Sequence, residues 1–137
     1  MNNTKIEEVK FLSLDEIRDS KGVLVVLQDD KTFLRKFKRT FIVTADKGVT
    51  RGDHSHLLCS QLMVCLIGEV EVLCDDSKNK RKYILRQNDS LQVPPGIWSS
   101  QVYKDQVNLL AVWCDRAYEE EDYLRDYNQF LESKSIL

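Results

Sequence analysis

Residues 48–68 read GVTRGDHSHLLCSQLMVCLIG and contain the only two histidines of the chain, His54 and His56. In a β-strand, residues i and i+2 point to the same face, so both imidazoles would project side by side into one pocket. Histidine changes its charge near neutral pH more readily than any other side chain. The pair therefore predicts either a metal site or a proton-transfer site.

Short apolar runs separated by turn residues lie on both sides of this stretch. Many short strands at nearly regular spacing predict an all-β sandwich or barrel, and a double-sheet jelly roll fits the pattern. The predicted strands are Val9–Leu12, Gly22–Leu27, Phe37–Thr44, His54–Leu57, Leu62–Ile67, Val70–Cys74, Lys82–Leu85, Leu91–Val93, Trp98–Tyr103 and Val107–Trp113.

The last part of the chain has a different pattern. Glu119–Glu132 places apolar side chains at helical spacing, and Glu121 and Arg125 stand at i and i+4. This predicts one amphipathic helix at about residues 119–132, packed outside a β core at about residues 9–117, in a single domain spanning 1–137. Its apolar stripe, interpreted as packing, is Tyr123, Leu124, Tyr127, Phe130 and Leu131.

The composition excludes several classes of protein. With 137 residues, 42% hydrophobic, 31% charged and a net charge of −2, the chain suits one soluble domain and lacks the basic surface of a nucleic-acid binder. The longest apolar stretches, Val23–Leu27 and Leu62–Ile67, are too short to cross a membrane, and Met1–Glu8 lacks the apolar core of a signal peptide. Four cysteines without CxxC spacing predict reduced thiols in a cytoplasmic protein.

The spacing from Gly48 to Gly68 resembles the first motif of the cupin superfamily, and Pro94–Ser99 resembles the second. A metal-binding cupin uses the two histidines, a carboxylate of the first motif and a histidine of the second. This chain has Gln61 and Ser99 at the last two positions, and both are poor ligands for a transition metal. The resemblance implies a cupin-type double-stranded jelly roll without a metal or other cofactor, in which paired histidines serve general acid–base catalysis.

A narrower resemblance covers the chain from about Val9 to Leu131. Residues 51–56, RGDHSH, followed by Gln61, are similar to the core of the nucleotide-sugar 3,4-ketoisomerases, and the matches extend to Lys38-Arg39, Pro95–Trp98 and Tyr118–Tyr127. The resemblance implies isomerisation of dTDP-4-oxo-6-deoxyglucose to the 3-oxo sugar, ahead of 3-aminosugar synthesis for bacterial surface glycans such as lipopolysaccharide. It also implies a cytoplasmic homodimer whose partners are neither nucleic acid nor membrane.

The resemblance also suggests roles for site residues. His54 is assigned as the base that moves the carbon-bound proton and His56 as the shuttle between oxygens, with the reverse order equally open. Arg39 and Gln61 are candidates to stabilise the enediolate. Arg51, together with Arg39, is a candidate for contact with the pyrophosphate, to which guanidinium groups bind in a bidentate manner.

Three further positions are candidate substrate contacts. Trp98 is predicted to form a wall of the sugar or base pocket. Phe41 stands where family members commonly carry a tyrosine, and a phenylalanine cannot relay a proton. Ser99 stands where many members have Arg or His, so the configuration of the product at C-4 stays open.

Two other functions remain open at this stage. One is a metal-dependent cupin, an oxygenase or an isomerase, that holds its ion with His54, His56 and Cys59. The other is a non-catalytic sugar-binding domain, since the fold alone does not dictate activity. Phe41 lends some weight to the second, because it removes a hydroxyl from the pocket.

Overall fold

The computed structural model describes residues 2–28 and 37–135, and residues 1, 29–36 and 136–137 of the predicted domain lie outside this range. Antiparallel β-strands make up most of it. The strands are β1 Lys10–Ser13, β2 Asp15–Asp19, β3 Gly22–Val26, β4 Arg39–Ala45, β5 Thr50–His56, β6 Gln61–Ile67, β7 Val70–Asp75, β8 Lys80–Leu85, β9 Asp89–Val93, β10 Trp98–Tyr103, β11 Asn108–Cys114 and β12 Tyr123–Leu124. The helices are the 3-10 turns Ile6–Glu8 and Glu120–Asp122 and the α-helix α1, Tyr127–Lys134.

Two five-stranded sheets face each other. The first sheet has the strand order β1-β9-β6-β11-β4 and the second has β12-β5-β10-β7-β8. Apart from β7 and β8, neighbouring strands in these two sheets are not consecutive in the chain, as expected when a chain crosses between two sheets. The predicted double-sheet jelly roll is thus confirmed, and β2 and β3 form a separate hairpin beside it.

The core lies between the two sheets. Alternate side chains of β11, Leu110, Val112 and Cys114, point inward and are at most 2% exposed. They join one buried cluster with Val72 and Cys74 of the second sheet. Burying an aliphatic side chain of this size contributes about 1.5–3 kcal/mol, so this layer holds the sheets together. The four cysteines are all buried and free.

The C-terminal helix is shorter than the sequence pattern predicts. It begins at Tyr127 instead of Glu119, because Tyr123–Leu124 forms β12 and pairs with β5. A backbone that gains ladder hydrogen bonds from a neighbouring strand overrides a helical side-chain spacing. The helix has eight residues, and no helix in ranges 2–28 and 37–135 is long and apolar enough to cross a bilayer.

The start of α1 is fixed by a side-chain cap. The carboxylate of Asp126 accepts a hydrogen bond from the backbone N–H of Gln129, which satisfies one of the unpaired donors at the helix N-terminus. The expected i, i+4 pairing of Glu121 with Arg125 is replaced by an ion pair of Arg125 with Glu120 at 2.8 Å. Because α1 begins only after β12, the position of Tyr123 is set by the pairing of β12 with β5 and not by a helix.

Candidate active site

A β-bulge in β5 decides which side chains enter the space between the sheets. Gly52 and Asp53 have φ of 89° and 58° and together oppose Ser100 on β10. Without the extra residue, Arg51 and His54, three positions apart, would lie on opposite faces of the strand. The bulge brings both to the inner face.

The opposite wall comes from the first sheet. The register of β4, β11 and β6 aligns Arg39, Cys114 and Gln61 in one row. The Arg39 guanidinium and the Gln61 amide both donate to the Cys114 sulfur, at 3.5 and 3.7 Å. A hydrogen bond from the adjacent Cys59 thiol, followed by those from Arg39 and Gln61, lowers the pKa of Cys114. The neighbouring row is apolar and consists of Phe41, Val112 and Met63.

Between these walls lies a cavity of about 400 Å³, a size typical of small-molecule sites. Three guanidiniums line it, those of Arg39, Arg51 and Arg125, and no carboxylate does so among residues 2–28 and 37–135. Arg125 is paired with Glu120, and Arg39 and Arg51 are the cations offered to a ligand; in a chain of net charge −2 they favour an anionic one such as a phosphate ester. The remaining polar lining residues are His54, Gln61, Gln101, Tyr103 and Tyr123.

The two histidines contact each other edge to face, with ring centroids 5.1 Å apart. His56 Nδ1 lies 3.0 Å from the carboxylate of Asp122, which also accepts the backbone N–H groups of Leu58 and Cys59. A carboxylate held in this way keeps the proton of His56 on Nδ1 and leaves Nε2 as the basic nitrogen. Asp122 was not predicted, since it lies 66 residues from His56.

Both imidazoles are held in their neutral form. Burial, followed by the repulsion that two protonated rings this close to each other would experience, lowers the pKa of His54 to about 4. Burial also lowers the pKa of His56, against the opposing effect of Asp122. His54 lines the cavity and His56 lies behind it, where its Nε2 has no hydrogen-bond partner within the described ranges. Both rings can therefore accept a proton at neutral pH.

Tyr123 is a cavity residue that the sequence pattern assigned to packing. Its ring lies 5.1 Å from that of His54 and 4.3 Å from that of His56. Its hydroxyl accepts a hydrogen bond of 3.1 Å from Arg39. Arg125, which was not predicted to line a site, lies over the same ring, 4.4 Å from its centroid. The helical prediction missed both because it did not include the pairing of β12 with β5.

The inner face of β10 adds two further polar groups to the cavity. Gln101 and Tyr103 line it, whereas the buried Ser99 accepts a hydrogen bond from Gln101 at 3.3 Å and does not line it. The Tyr103 hydroxyl has no partner in the part of the chain that the structure describes, and burial raises its pKa to about 12. Counting every second residue from Ser99 would have found both.

Trp98 does not line the cavity, in contrast to its predicted position. It packs against α1, with its ring 5.2 Å from Tyr127 and 5.7 Å from Phe130. The reason is the alternation of β10, because Trp98 and Ser99 are adjacent and point to opposite faces. Five of the predicted site residues do lie on the cavity wall: Arg39, Phe41, Arg51, His54 and Gln61.

A possible metal-ligand set differs from the one predicted. His56, Cys59 and Asp122 place donor atoms within 4.8 Å of one another, and His54 is not part of this group. The Asp122 carboxylate is engaged by His56 and by two backbone N–H groups. The Cys59 thiol has a raised pKa because of Cys114 and burial. These contacts favour a histidine–carboxylate dyad over an ion at this position.

Three similarities to known proteins cover nearly all of the chain. The family described as "FdtA: WxcM-like, C-terminal" matches residues 7–135. The TDP-4-oxo-6-deoxy-alpha-D-glucose-3,4-oxoisomerase of Aneurinibacillus thermoaerophilus is 30% identical over 125 residues, 90% of each protein. The structure of WlaRA, a TDP-fucose-3,4-ketoisomerase from Campylobacter jejuni, has a TM-score of 0.84 and 29% identity, covering 93% of this chain and 96% of WlaRA.

A fourth similarity includes a bound nucleotide. QdtA, a sugar 3,4-ketoisomerase from Thermoanaerobacterium thermosaccharolyticum solved in complex with TDP, has a TM-score of 0.86 and 25% identity. The similarity covers 95% of this chain and 96% of QdtA. All three named relatives thus share a reaction type and act on or bind TDP compounds.

Proposed function

The chain belongs to the FdtA family, and we propose that it is an isomerase, a 3,4-ketoisomerase of a dTDP-linked 4-oxo-6-deoxyhexose such as dTDP-4-oxo-6-deoxyglucose. The observation that carries this proposal is the pair of neutral imidazoles, His54 and His56, beside a cavity that three guanidiniums line. The reaction moves protons and needs no oxidant, which suits these side chains.

Arg39 and Arg51 are the proposed contacts for the substrate's pyrophosphate. They lie on opposite walls of one cavity, so both can reach the same ligand. Guanidinium groups bind phosphate oxygens through two parallel hydrogen bonds. Gln61, in the same row as Arg39, offers an amide donor to a developing enediolate oxygen.

His54 is the proposed base for the carbon-bound proton. The C-4 ketone acidifies the hydrogen on C-3, and removal of this proton gives an enediolate. Return of the proton to C-4 moves the ketone by one carbon. His54 lines the cavity and is neutral at pH 7, which supports this role over that of His56. A positioned base of this kind contributes about 10²–10⁴-fold in rate.

His56 and Asp122 form the proposed second proton-transfer group. Asp122 orients the ring and stabilises its charged form when Nε2 takes up a proton. The ring contact with His54 places the dyad next to the group that moves the carbon-bound proton. The dyad is proposed to support the transfer of a proton from one sugar oxygen to the other from its place behind the cavity wall.

The proposed partner in solution is a second copy of the chain, in the cytoplasm. Large apolar side chains are exposed on the edge strand β4 and on the β2–β3 hairpin: Ile42 is 62%, Ile17 60% and Leu24 56% exposed. Exposed apolar groups along a sheet edge favour association with another chain. Sedimentation equilibrium is expected to give twice the mass of 16.0 kDa.

The decisive experiment is turnover in D₂O. The chain is incubated with dTDP-4-oxo-6-deoxyglucose, coupled to a 3-aminotransferase, and the amino sugar is identified by NMR. Formation of a 3-amino sugar supports the proposal, and the deuterium content at C-4 measures how far the His54 imidazolium exchanges its proton with solvent before delivering it. The same spectrum gives the configuration at C-4. A non-catalytic sugar-binding protein would exchange no hydrogen.

The metal-dependent alternative has one observation in its favour, the proximity of His56, Cys59 and Asp122. Elemental analysis of protein purified without chelator separates it from the proposal. Stoichiometric iron, manganese or zinc, together with loss of turnover after its removal, would support the alternative. Full turnover after dialysis against a chelator is the result expected here.

A further inference from the structure

We propose that Tyr123 is a further catalytic residue, whose phenol exchanges protons with the two sugar oxygens O-3 and O-4. This inference rests on the proposed function, because only an isomerisation moves a proton from one oxygen to the other. The juxtaposition that carries it is the contact of the Tyr123 ring with both histidines and the bond of its hydroxyl to Arg39.

The position of the hydroxyl is fixed from two sides. The backbone of Tyr123 pairs with that of His56 in the β12–β5 ladder. Arg39 donates to the phenol oxygen at 3.1 Å. A phenol oxygen that accepts from a guanidinium keeps its own O–H for donation to another group. Since Tyr123 lines the cavity, that group is an atom of the bound ligand.

The histidine dyad needs such an intermediary. His56 lies behind the cavity wall and His54 is used by the carbon-bound proton. The guanidinium and amide groups that line the cavity do not release protons at neutral pH. Tyr103 is the other lining hydroxyl in ranges 2–28 and 37–135, but it is four residues beyond Ser99, the partner of His54. That separation is about 13 Å along a strand.

The proton transfers balance without a co-reactant. In the first step His54 takes the proton from C-3 while Tyr123 gives its proton to O-4, which leaves an enediol, an imidazolium and a phenolate beside Arg39. In the second step the phenolate takes the proton from O-3 while the imidazolium delivers its proton to C-4. The ketone now lies at C-3, and both side chains return to their starting forms.

The variant Tyr123→Phe tests this role, since it keeps the ring contacts and removes only the hydroxyl. The expected result is a fall in kcat of about 100-fold with KM within about threefold of the wild type. Loss of a single half-buried hydrogen bond has a small effect on stability, so the melting temperature is expected to change by only a few degrees. The matched control is Tyr127→Phe, whose hydroxyl bonds to Asp75 at 2.6 Å and does not line the cavity.

Deuterium in the recovered substrate distinguishes catalysis from a structural role. In D₂O, Tyr123→Phe is expected to form an enediolate that returns to substrate, so deuterium at C-3 of the 4-oxo sugar rises relative to product by about tenfold. Turnover by Tyr123→Phe at the wild-type kcat, or equal falls in exchange and turnover, would overturn the inference while leaving the proposed function intact. Absence of turnover in the wild type would overturn both.

Discussion

The two sides of the histidine pair differ in what surrounds them, although the residues are two positions apart on the same strand face. On the His56 side, the ring is fixed by Asp122, whose carboxylate is engaged by backbone N–H groups. On the His54 side, the ring meets a cavity lined by arginines and hydroxyls. The protein itself supplies the carboxylate partner of His56, whereas His54 faces the space that a ligand would occupy.

One fold thus obtains two functions from two chemically identical groups. Burial lowers the pKa of both rings, but a hydrogen-bonded carboxylate opposes this effect at His56, whereas at His54 the opposing groups are the Gly52 backbone and the more distant charge of Glu120. These two groups do not overcome the burial of His54, and a substrate anion is its natural further partner. The dyad is preorganised for proton transfer before the ligand arrives.

The largest expected effect comes from exchanging each ring for an amide. His54→Asn is expected to lower turnover by about 10⁴-fold and to abolish deuterium exchange at C-3, because it removes the carbon base. His56→Asn is expected to lower turnover by about 10³-fold while some exchange at C-3 remains. Circular dichroism checks that both variants fold. Full activity in both would reject the assigned roles.

Asp122→Asn tests the His56 side of the histidine pair, where the protein supplies a carboxylate partner. We expect turnover to fall by about 30-fold, because the ring of His56 loses its orienting carboxylate. Asp122 raises the pKa of His56, so its removal lowers that pKa further and moves the acid limb of the kcat/KM profile to lower pH. An unchanged pH profile with reduced thermal stability would assign Asp122 a purely structural role.

The pH dependence of stability reports the titration of His54, the histidine that lines the cavity. The pKa of His54 is about 4 in the folded state against 6.5 for an unperturbed histidine. The stability that the protein gains by keeping His54 neutral is therefore complete above pH 6.5 and is lost as the pH falls toward 4. Urea unfolding at several pH values is expected to show a loss of about 2 kcal/mol over this window, reduced in His54→Asn. An equal slope in the variant would contradict this reading.

The smallest expected effect is at Trp98, which packs on α1 and not on either side of the histidine pair. Trp98→Phe is expected to leave kcat and KM within about twofold and to lower stability by about 1 kcal/mol, since only part of a ring contact is lost. Steady-state kinetics and thermal unfolding measure both. A tenfold rise in KM would indicate that Trp98 contacts the substrate.

Most strands were predictable because they carry their own signal. In β10, the run Trp98–Tyr103 has the predicted bounds, since its alternation and the preceding proline pair define both ends. The hairpin strand Asp15–Asp19 was missed, because all five of its residues are exposed and show no apolar alternation. An exposed strand made mainly of charged residues thus leaves no local signal, whereas the exposed β3 was found by its β-branched run.

The site was predictable only in part, for a related reason. Four site residues lie on strands or in motifs that can be recognised from the sequence alone: Arg39, Arg51, His54 and Gln61. Asp122, Tyr123 and Arg125 come from a segment whose helical spacing is misleading. Its conformation depends on pairing with β5, 66 residues away at the His56–Asp122 contact. Such long-range pairing leaves no periodic signal in a single sequence.

The bulge at Gly52 and Asp53 makes the length of this segment as important as its composition. A methyl group at Gly52 would lie 2.8 Å from Gln101 Oε1, and removal of either residue would turn Arg51 to the outer face. An insertion or deletion between Arg51 and His54 would separate the guanidinium from the imidazole even though every motif residue is retained.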